Sequence, residues 1–479
     1  MTLDYASLPD VAARRSPDRV ALRFEGRQWT FGEFERAVGR VAQRLFRAGI
    51  RPGARTVLLV ENRPEYLFAQ FALARLGAVF VIPNPYWTDH EIGRVVSTVS
   101  ASAAIYSARH RANVRGLAIA VSIEDIAEAA GDDAIAPSPA ASVGREAELC
   151  IPFSSGTTGL PKGVVHTVAS LSGGIDQLVV HMGLTGADRL QISLPLCHIF
   201  GTSMMGAALA AGAEVTLFER FDFDRCLDQI KRDSVTVWPL AGAVAHRLAT
   251  LPDLSRADFP GLRYFMWGGS AVPANLAQTI ASRTGVGFLC SYGMTEAFAV
   301  AFNPVELAQR WRLDSPGYAC VGNEIRIGNE GEIEVRGPCV AAGYSEQVAD
   351  DPFLEDGWFR TGDAGHVDED GRLWISDRLK DMIKVSGFQV APAEVEAELL
   401  RLPGVSDAAV VGCPDERRGE RVVAYIVGSE PLSENDLRAS LRERLVSYKV
   451  PAEFVVVDEV PRTAAGKLQR SRLRDRHDG

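Results

Sequence analysis

At 479 residues the chain is longer than a single hydrophobic core organises, so two or more domains are expected. Its 47% hydrophobic and 23% charged residues are those of an ordinary soluble globular protein. A formal net charge of −10 excludes nucleic acid or an anionic membrane as the main surface partner, though not a local basic patch.

Seven cysteines, at 150, 197, 226, 290, 320, 339 and 413, are scattered and form no CxxC pair, so neither a disulfide framework nor a zinc site is suggested. Charged residues from Asp10 to Arg19 break any signal-peptide pattern, and Arg75 and Glu214 interrupt the longest apolar runs. A cytoplasmic protein is expected.

In chain order, Phe31, Phe34, Val38, Val41 and Leu45 recur at spacings of three and four, which predicts an amphipathic helix over 31–49. Val57–Val60 reads as a buried strand, Glu65–Leu76 as a helix that Pro64 starts, and Val79–Ile82 as a strand. The Ala-, Pro- and Ser-rich stretch 129–147 reads as an exposed connection. Further strands are expected at Val215–Phe218, Val235–Trp238, Arg263–Trp267 and Val286–Leu289. Alternating helices and strands give an α/β layered fold. From Glu324 the texture shifts to short Gly-separated strands, a β-rich subdomain. The last hundred residues make a small α+β unit with helix 392–402, strands 405–412 and 421–427, helix 433–446 and strand 453–458. The domains are therefore 1–379 and 380–479, divided at Leu379–Lys380.

Five segments carry chemistry. Phe153–Thr167 (FSSGTTGLPKGVVHT) offers backbone N–H groups, hydroxyls and one cation between two apolar flanks, which suits a polyphosphate. It lacks the G-x-x-x-x-G-K-[ST] spacing, and Pro161 argues against a helix through the loop. Ser291–Glu296 (SYGMTE) after a strand suits phosphate and Mg²⁺, which takes few carboxylates and shares oxygens with a nucleotide. In GWFRTGDAG (357–365), Asp363 can accept from two ribose hydroxyls or shape a turn. Segments 377–396 and 461–470 place lysines in Gly-bearing loops of the small domain, where such side chains are usually solvated.

In this order these motifs resemble the adenylate-forming superfamily of acyl- and aryl-CoA synthetases, carrier-loading adenylation domains and luciferases. The likeness runs from WTFGEFERA (29–37) to GKLQR (466–470). It implies a large N-terminal domain, a mobile C-terminal domain and two half-reactions. A carboxylate attacks the α-phosphate of Mg·ATP to give an acyl adenylate and pyrophosphate, and a thiol then displaces AMP.

By the same resemblance Ser154, Ser155, Gly156, Thr157, Thr158, Gly159 and Lys162 grip the β- and γ-phosphates. Thr295 contacts the α-phosphate and Glu296 holds Mg²⁺. Asp363 and Arg378 meet the ribose. Gly268, Gly269, Ser270, Ser291, Tyr292, Gly293 and Met294 surround the adenine. Lys467 bridges carboxylate and α-phosphate, Lys380 is the hinge, and Lys384 and Gly387 belong to the thiol step. His198, in LPLCHIFG, is either a packed core histidine or the residue beside the acid; the resemblance favours the second.

The acid pocket by resemblance comprises His198, Gln177, Trp238, Pro239, Leu240, Trp267, Gly268, Gly293, Phe298 and Ala299. These are mainly apolar, with no acidic residue for an α-ammonium and no arginine for a second carboxylate. They imply an aryl or medium-chain aliphatic acid, although either tryptophan can instead point into the core. Coenzyme A is the expected acceptor, with Arg417, Arg418, Arg421, Arg442, Arg444 and Lys449 available for its phosphates or else forming a solvated face with Glu416, Glu420 and Glu443. The alternative acceptor is a carrier protein's phosphopantetheine, in a monomer or homodimer. A kinase or ATP hydrolase, a non-catalytic nucleotide-binding regulator and a luciferase-like oxygenase are the rival readings.

Overall fold

A computed structural model describes residues 4–138, 140–154, 161–240, 242–269, 274–348, 350–385, 388–415, 417–428, 433–462 and 468–477. The first predicted helix forms as Phe31–Arg47, because Thr30 and Glu33 make a reciprocal capping box and the apolar stripe packs inward. Pro64 opens the next helix, Pro64–Arg75, where its missing N–H costs nothing. Strands Arg55–Leu59 and Val79–Ile82 flank that helix in sequence.

These strands lie in a seven-stranded sheet ordered 343–344, 162–167, 148–154, 79–82, 55–59, 103–106, 119–122. The strands from 148–154 to 119–122 run parallel, whereas 162–167 returns antiparallel to 148–154. A second sheet has thirteen strands. Its parallel half orders 288–292, 264–267, 237–240, 189–192, 214–217 and 20–24.

The β-rich region after Glu324 is not a separate layer. The two-residue strand Ala301–Phe302 pairs antiparallel with Ser291 and Tyr292, then with Tyr318 and Ala319. Through it, strands 317–319, 372–378, 359–367, 332–336 and 324–327 continue the same sheet. Parallel pairing therefore gives way to antiparallel pairing at Ser291–Tyr292, the kind of discontinuity beside which α/β sheets bind ligands.

The connection 129–147 is mostly exposed, as expected, yet it is tied to the body beneath. Helix Ile123–Gly131 runs into it with Ala129 buried, and Ser138 N–H donates to Gly39 O at 3.0 Å. Ala141 N–H donates to Arg75 O at 2.7 Å, so the segment is tied to the helices beneath.

The last hundred residues build their own sheet, 388–390, 383–385, 419–428, 405–415, with 453–456 beside 419–428. Its helices are Pro392–Leu399, Glu434–Arg442 and Arg470–His477, and a compact apolar cluster of Val395, Leu399, Val410, Ile426 and Leu441 fills it. The last helix and the strands 383–385 and 388–390 were not legible from periodicity, being too short to show any. Among the described residues no helix is long and apolar enough to cross a membrane.

Candidate active site

Strand Glu148–Ser154 delivers its C-terminal end beside the start of strand Lys162–Thr167, and Ser154 pairs in register with Lys162. The intervening Ser155, Gly156, Thr157, Thr158 and Gly159 lie outside the described residues. The Lys162 ammonium sits 5.0 Å from the ring centre of Tyr344. Tyr344 belongs to the short strand Gly343–Tyr344, which pairs with Val165 and Val164, and its hydroxyl donates to Glu296 Oε1 at 3.0 Å. Thus Lys162 and Glu296, 134 positions apart in sequence, meet on one tyrosine.

The Thr295–Glu296 pair is buried rather than solvated. The turn folds on itself, with Met294 N–H donating to Ala297 O at 2.9 Å and Ala297 N–H donating to Met294 O at 3.2 Å. Gly293 is required there, because a Cβ would fall 2.5 Å from Phe298 O. Ala341 N–H donates to Glu296 O at 2.8 Å and holds the turn against the strand that leads to Tyr344.

His166 fixes the turn from the other side. Its Nε2 lies 2.8 Å from Thr295 O and its Nδ1 3.2 Å from Ser170 Oγ. A carbonyl only accepts, so the proton is on Nε2 and Nδ1 accepts from Ser170. Complete burial holds the imidazole neutral, with a pKa of about 4. An unfolded histidine titrates near 6.5, so between pH 6.5 and 4 the unfolded chain binds more protons and folding stability falls as pH falls. The loss at pH 4 amounts to about 3 kcal/mol. Urea denaturation across this window should show that slope in the wild type and a flatter one in His166→Gln; parallel profiles would contradict it.

Asp363 lies in strand Phe359–Val367 rather than in a turn, opposite Arg378 of strand Arg372–Arg378. Arg378 Nε is 2.6 Å from Asp363 Oδ1, and the Tyr292 hydroxyl donates to Oδ2 at 2.5 Å. Burial, followed by the adjacent carboxylate, pushes the Tyr292 phenol well above its ordinary range, so it remains a donor. A carboxylate has about four acceptor positions, and Arg378 and Tyr292 each engage one oxygen of this buried group.

Gly268 and Gly269 follow strand Tyr264–Trp267, with Gly269 in the left-handed region at φ 81°. A Cβ on Gly268 would sit 2.8 Å from Ser291 Oγ, which donates to Trp267 O at 3.1 Å, and 3.8 Å from the ring of Phe200. Ser270 lies outside the described residues.

His198 is not a core histidine. It is exposed and caps helix Ile199–Ala211, its Nδ1 accepting from Phe200 N–H at 3.2 Å. Phe200 is the neighbour of Gly268 that the sequence reading missed.

Three expected pocket residues pack into the core instead. Trp238 and Trp267 are fully buried, and with Leu240 they join the cluster of Phe259, Phe265 and Phe288. The Trp238 ring stacks 6.3 Å from Phe259, while Val237, Met266 and Leu289 serve the other face of the sheet. These residues are core between sheet and helices. Pro239, between Trp238 and Leu240, is buried as well. The Gln177 amide donates to Val321 O and Asn323 Oδ1, both at 2.8 Å. Phe298 packs edge-on 5.5 Å from His166 and fills the space that Gly174 leaves. Ala299 is buried, its carbonyl accepting from Asn323 at 2.7 Å.

Lys380 sits exposed in the turn Leu379–Asp381, where partial desolvation lowers the pKa of its ammonium. Around the turn, Asp377 Oδ2 accepts from Ala393 N–H at 2.7 Å and Arg474 pairs with Asp381 at 3.0 Å. Lys384 is exposed on strand Ile383–Val385, while Gly387 and Lys467 lie outside the described residues. Of the small domain's basic residues, Arg421 pairs with Glu453, Arg444 with Glu398 and Lys449 with Glu394.

The residues fit a metal–nucleotide pair. No group of three His, Cys, Asp or Glu side chains able to hold a metal occurs among the described residues. A cation here would take one carboxylate, Glu296, and complete its shell from phosphate and water, which is the habit of Mg²⁺.

The family model for the AMP-binding enzyme matches residues 9–345, and that for the AMP-binding enzyme C-terminal domain matches 394–467. The chain is 34% identical over 489 residues to a feruloyl-CoA synthase of an Amycolatopsis species, covering 98% of each protein. It superposes on o-succinylbenzoate CoA synthetase from Bacillus subtilis in complex with its acyl-adenylate intermediate, with TM-score 0.87, 29% identity and 98% of both chains covered. For ATP-bound MatB from Rhodopseudomonas palustris the TM-score is 0.91 at 28% identity, covering 98% of this chain and 99% of that one. The chain belongs to the AMP-binding enzyme family and is an ATP-dependent, AMP-forming acid–CoA ligase, which makes an acyl adenylate and then a CoA thioester.

Proposed function

We infer that the enzyme activates an aryl acid, or failing that a medium-chain aliphatic one, at the rim where the parallel strands of the large sheet end. The observation that carries this reading is the approach of the Phe200 ring and the Met266 methyl, both 3.8 Å from where a Gly268 Cβ would stand, beside Ser291 and next to His198, a slot bordered by an aromatic ring and a thioether. A flat ring gains apolar burial against Phe200, and Gly268 keeps the slot open. The feruloyl and o-succinylbenzoate relatives act on aromatic acids and support the choice.

A carboxylate is a poor electrophile, so the first half-reaction converts one of its oxygens into a good leaving group. Little covalent work falls to the protein; positioning and charge neutralisation dominate. Asp363 and Arg378 hold the ribose, with Tyr292 keeping the carboxylate oriented. Gly268, Gly269, Ser291 and Gly293 let the adenine lie against backbone. Ser154 and Lys162 receive the departing pyrophosphate. Thr295 faces the α-phosphate. Mg²⁺ bound at Glu296 supplies charge neutralisation on the phosphate oxygens.

Lys467 of the C-terminal domain meets the attacking oxygen and the α-phosphate. With the domains divided at Leu379–Lys380, rotation about Lys380 then replaces that lysine by the face bearing Lys384 and Gly387. One site thereby serves two reactions. A carrier protein's phosphopantetheine is the second acceptor reading, since it would use the same channel past Gly387.

A panel of carboxylic acids in a pyrophosphate-release assay, with and without CoA, tests this. Aryl acids should give the highest kcat/KM, with thioester formed only when CoA is present. Preference for short aliphatic acids would overturn the pocket assignment, and acid-independent nucleotide turnover would overturn the ligase chemistry.

A further inference from the structure

Tyr344 has no place in the roles above, yet its side chain touches both Lys162 and Glu296, at the two ends of the polyphosphate site. Its hydroxyl donates to Glu296 Oε1 at 3.0 Å, and its ring lies 5.0 Å from the Lys162 ammonium. We propose that Tyr344 is a positioning residue that sets Glu296 as a one-oxygen metal ligand and holds Lys162 on the same side of the site. This rests on the assignment of Glu296 and Lys162 to Mg²⁺ and the β,γ-phosphates.

Three features place the tyrosine firmly enough for that task. Its strand pairs with the one that begins at Lys162, Gly343 with Val165 and Tyr344 with Val164, and Ser345 N–H donates to Gly163 O at 2.8 Å. Its ring packs edge-on against Phe353 at 5.4 Å. The Glu296 backbone is tied to the same segment through Ala341 N–H. Strand pairing thus fixes Lys162, Tyr344 and Glu296 relative to one another before any ligand arrives.

The chemistry follows from what each atom can do. A phenol donates one proton, so it occupies Oε1 and leaves Oε2 for a cation. Mg²⁺ demands near-octahedral geometry and takes one oxygen from a carboxylate readily, so a carboxylate locked by a neighbour loses less orientational freedom on binding it. The ring face attracts the ammonium through its quadrupole, and Lys162 swings less freely than a solvated lysine. The two positive charges would then approach a triphosphate from fixed directions.

The two functions separate by substitution. Tyr344→Phe keeps the ring and removes only the hydroxyl. Calorimetric titration should show MgATP binding weakened about tenfold, the lower end of what losing a metal ligand's hydrogen-bond partner costs. ATP binding in EDTA should stay within about twofold. Tyr344→Leu removes the ring too, so binding in EDTA should also fall. Thioester formation from a supplied acyl adenylate and CoA, which needs no pyrophosphate grip, should remain near wild type in both variants. Unchanged MgATP binding in Tyr344→Phe, equal loss with and without metal, or equal loss of the thioester step would each overturn the proposal. Glu296→Gln distinguishes the two levels. If it abolishes the advantage of MgATP over metal-free ATP while Tyr344→Phe does not, only the role of Tyr344 fails. If it retains that advantage, the assignment of Glu296 itself fails.

Discussion

Lys467→Ala is expected to lower carboxylate-dependent pyrophosphate exchange by a factor of about 10²–10³, the range seen when one preorganised donor to a developing charge is removed. Thioester formation from a supplied acyl adenylate should stay near wild type. The reasoning is that an ammonium at this position neutralises charge only while phosphorus is being attacked; once the adenylate exists, the leaving group is already in place. Lys467 lies outside the described residues, but both ends of its segment are anchored. Arg462 bridges to Leu468, and Gln469 N–H donates to Pro461 O at 2.9 Å. Just beyond, Arg470 makes a buried two-oxygen pair with Glu396 at 2.7 and 2.8 Å. Equal loss of both half-reactions would assign it a structural role instead.

Asp363→Ala should be the other severe change. In the proposed role it removes the acceptor for two ribose hydroxyls, and a hydrogen bond to a charged group contributes about 1.5–3 kcal/mol, so ATP affinity should fall at least a hundredfold. It also strands the Arg378 guanidinium and the Tyr292 hydroxyl, which now share the carboxylate. Breaking a buried pair costs about 3–5 kcal/mol. Arg378 retains a third of its side-chain exposure, so about 2 kcal/mol of folding stability is the reasonable expectation after solvent screening. Denaturant unfolding and ATP titration measure the two parts. Adding Arg378→Met to Asp363→Ala should recover part of the stability but none of the affinity, because contacting residues are non-additive. Additive losses in both would mean that the pair acts independently.

The motifs were legible because their chemistry is local. Glycines, hydroxyls and one lysine within fifteen residues announce a phosphate loop whatever surrounds them. Likewise the capping box at Thr30 and Glu33 and the prolines before helices are decided within one turn of chain. The acid pocket was legible only in part. Trp238, Leu240 and Trp267 were expected to face the substrate, yet they pack into the core with Phe259 and Phe265. Strands Val237–Leu240 and Tyr264–Trp267 are buried on both faces. Without polar alternation, nothing in the sequence says which residues face the ligand.

The sequence by itself pointed to the reaction through the resemblance that five short segments, taken in order, bear to the adenylate-forming family. Tertiary structure decided what surrounds them. His166 reaches Thr295 across 129 positions, and Tyr344 reaches Glu296 across 48. The two-residue strand Ala301–Phe302 joins the parallel and antiparallel halves of one sheet, and no pattern of two residues could announce it. The physical reason is the same in each case. A phosphate grip is written in neighbouring residue types, whereas a side chain that holds it in place is chosen by strand pairing and packing between distant parts of the chain.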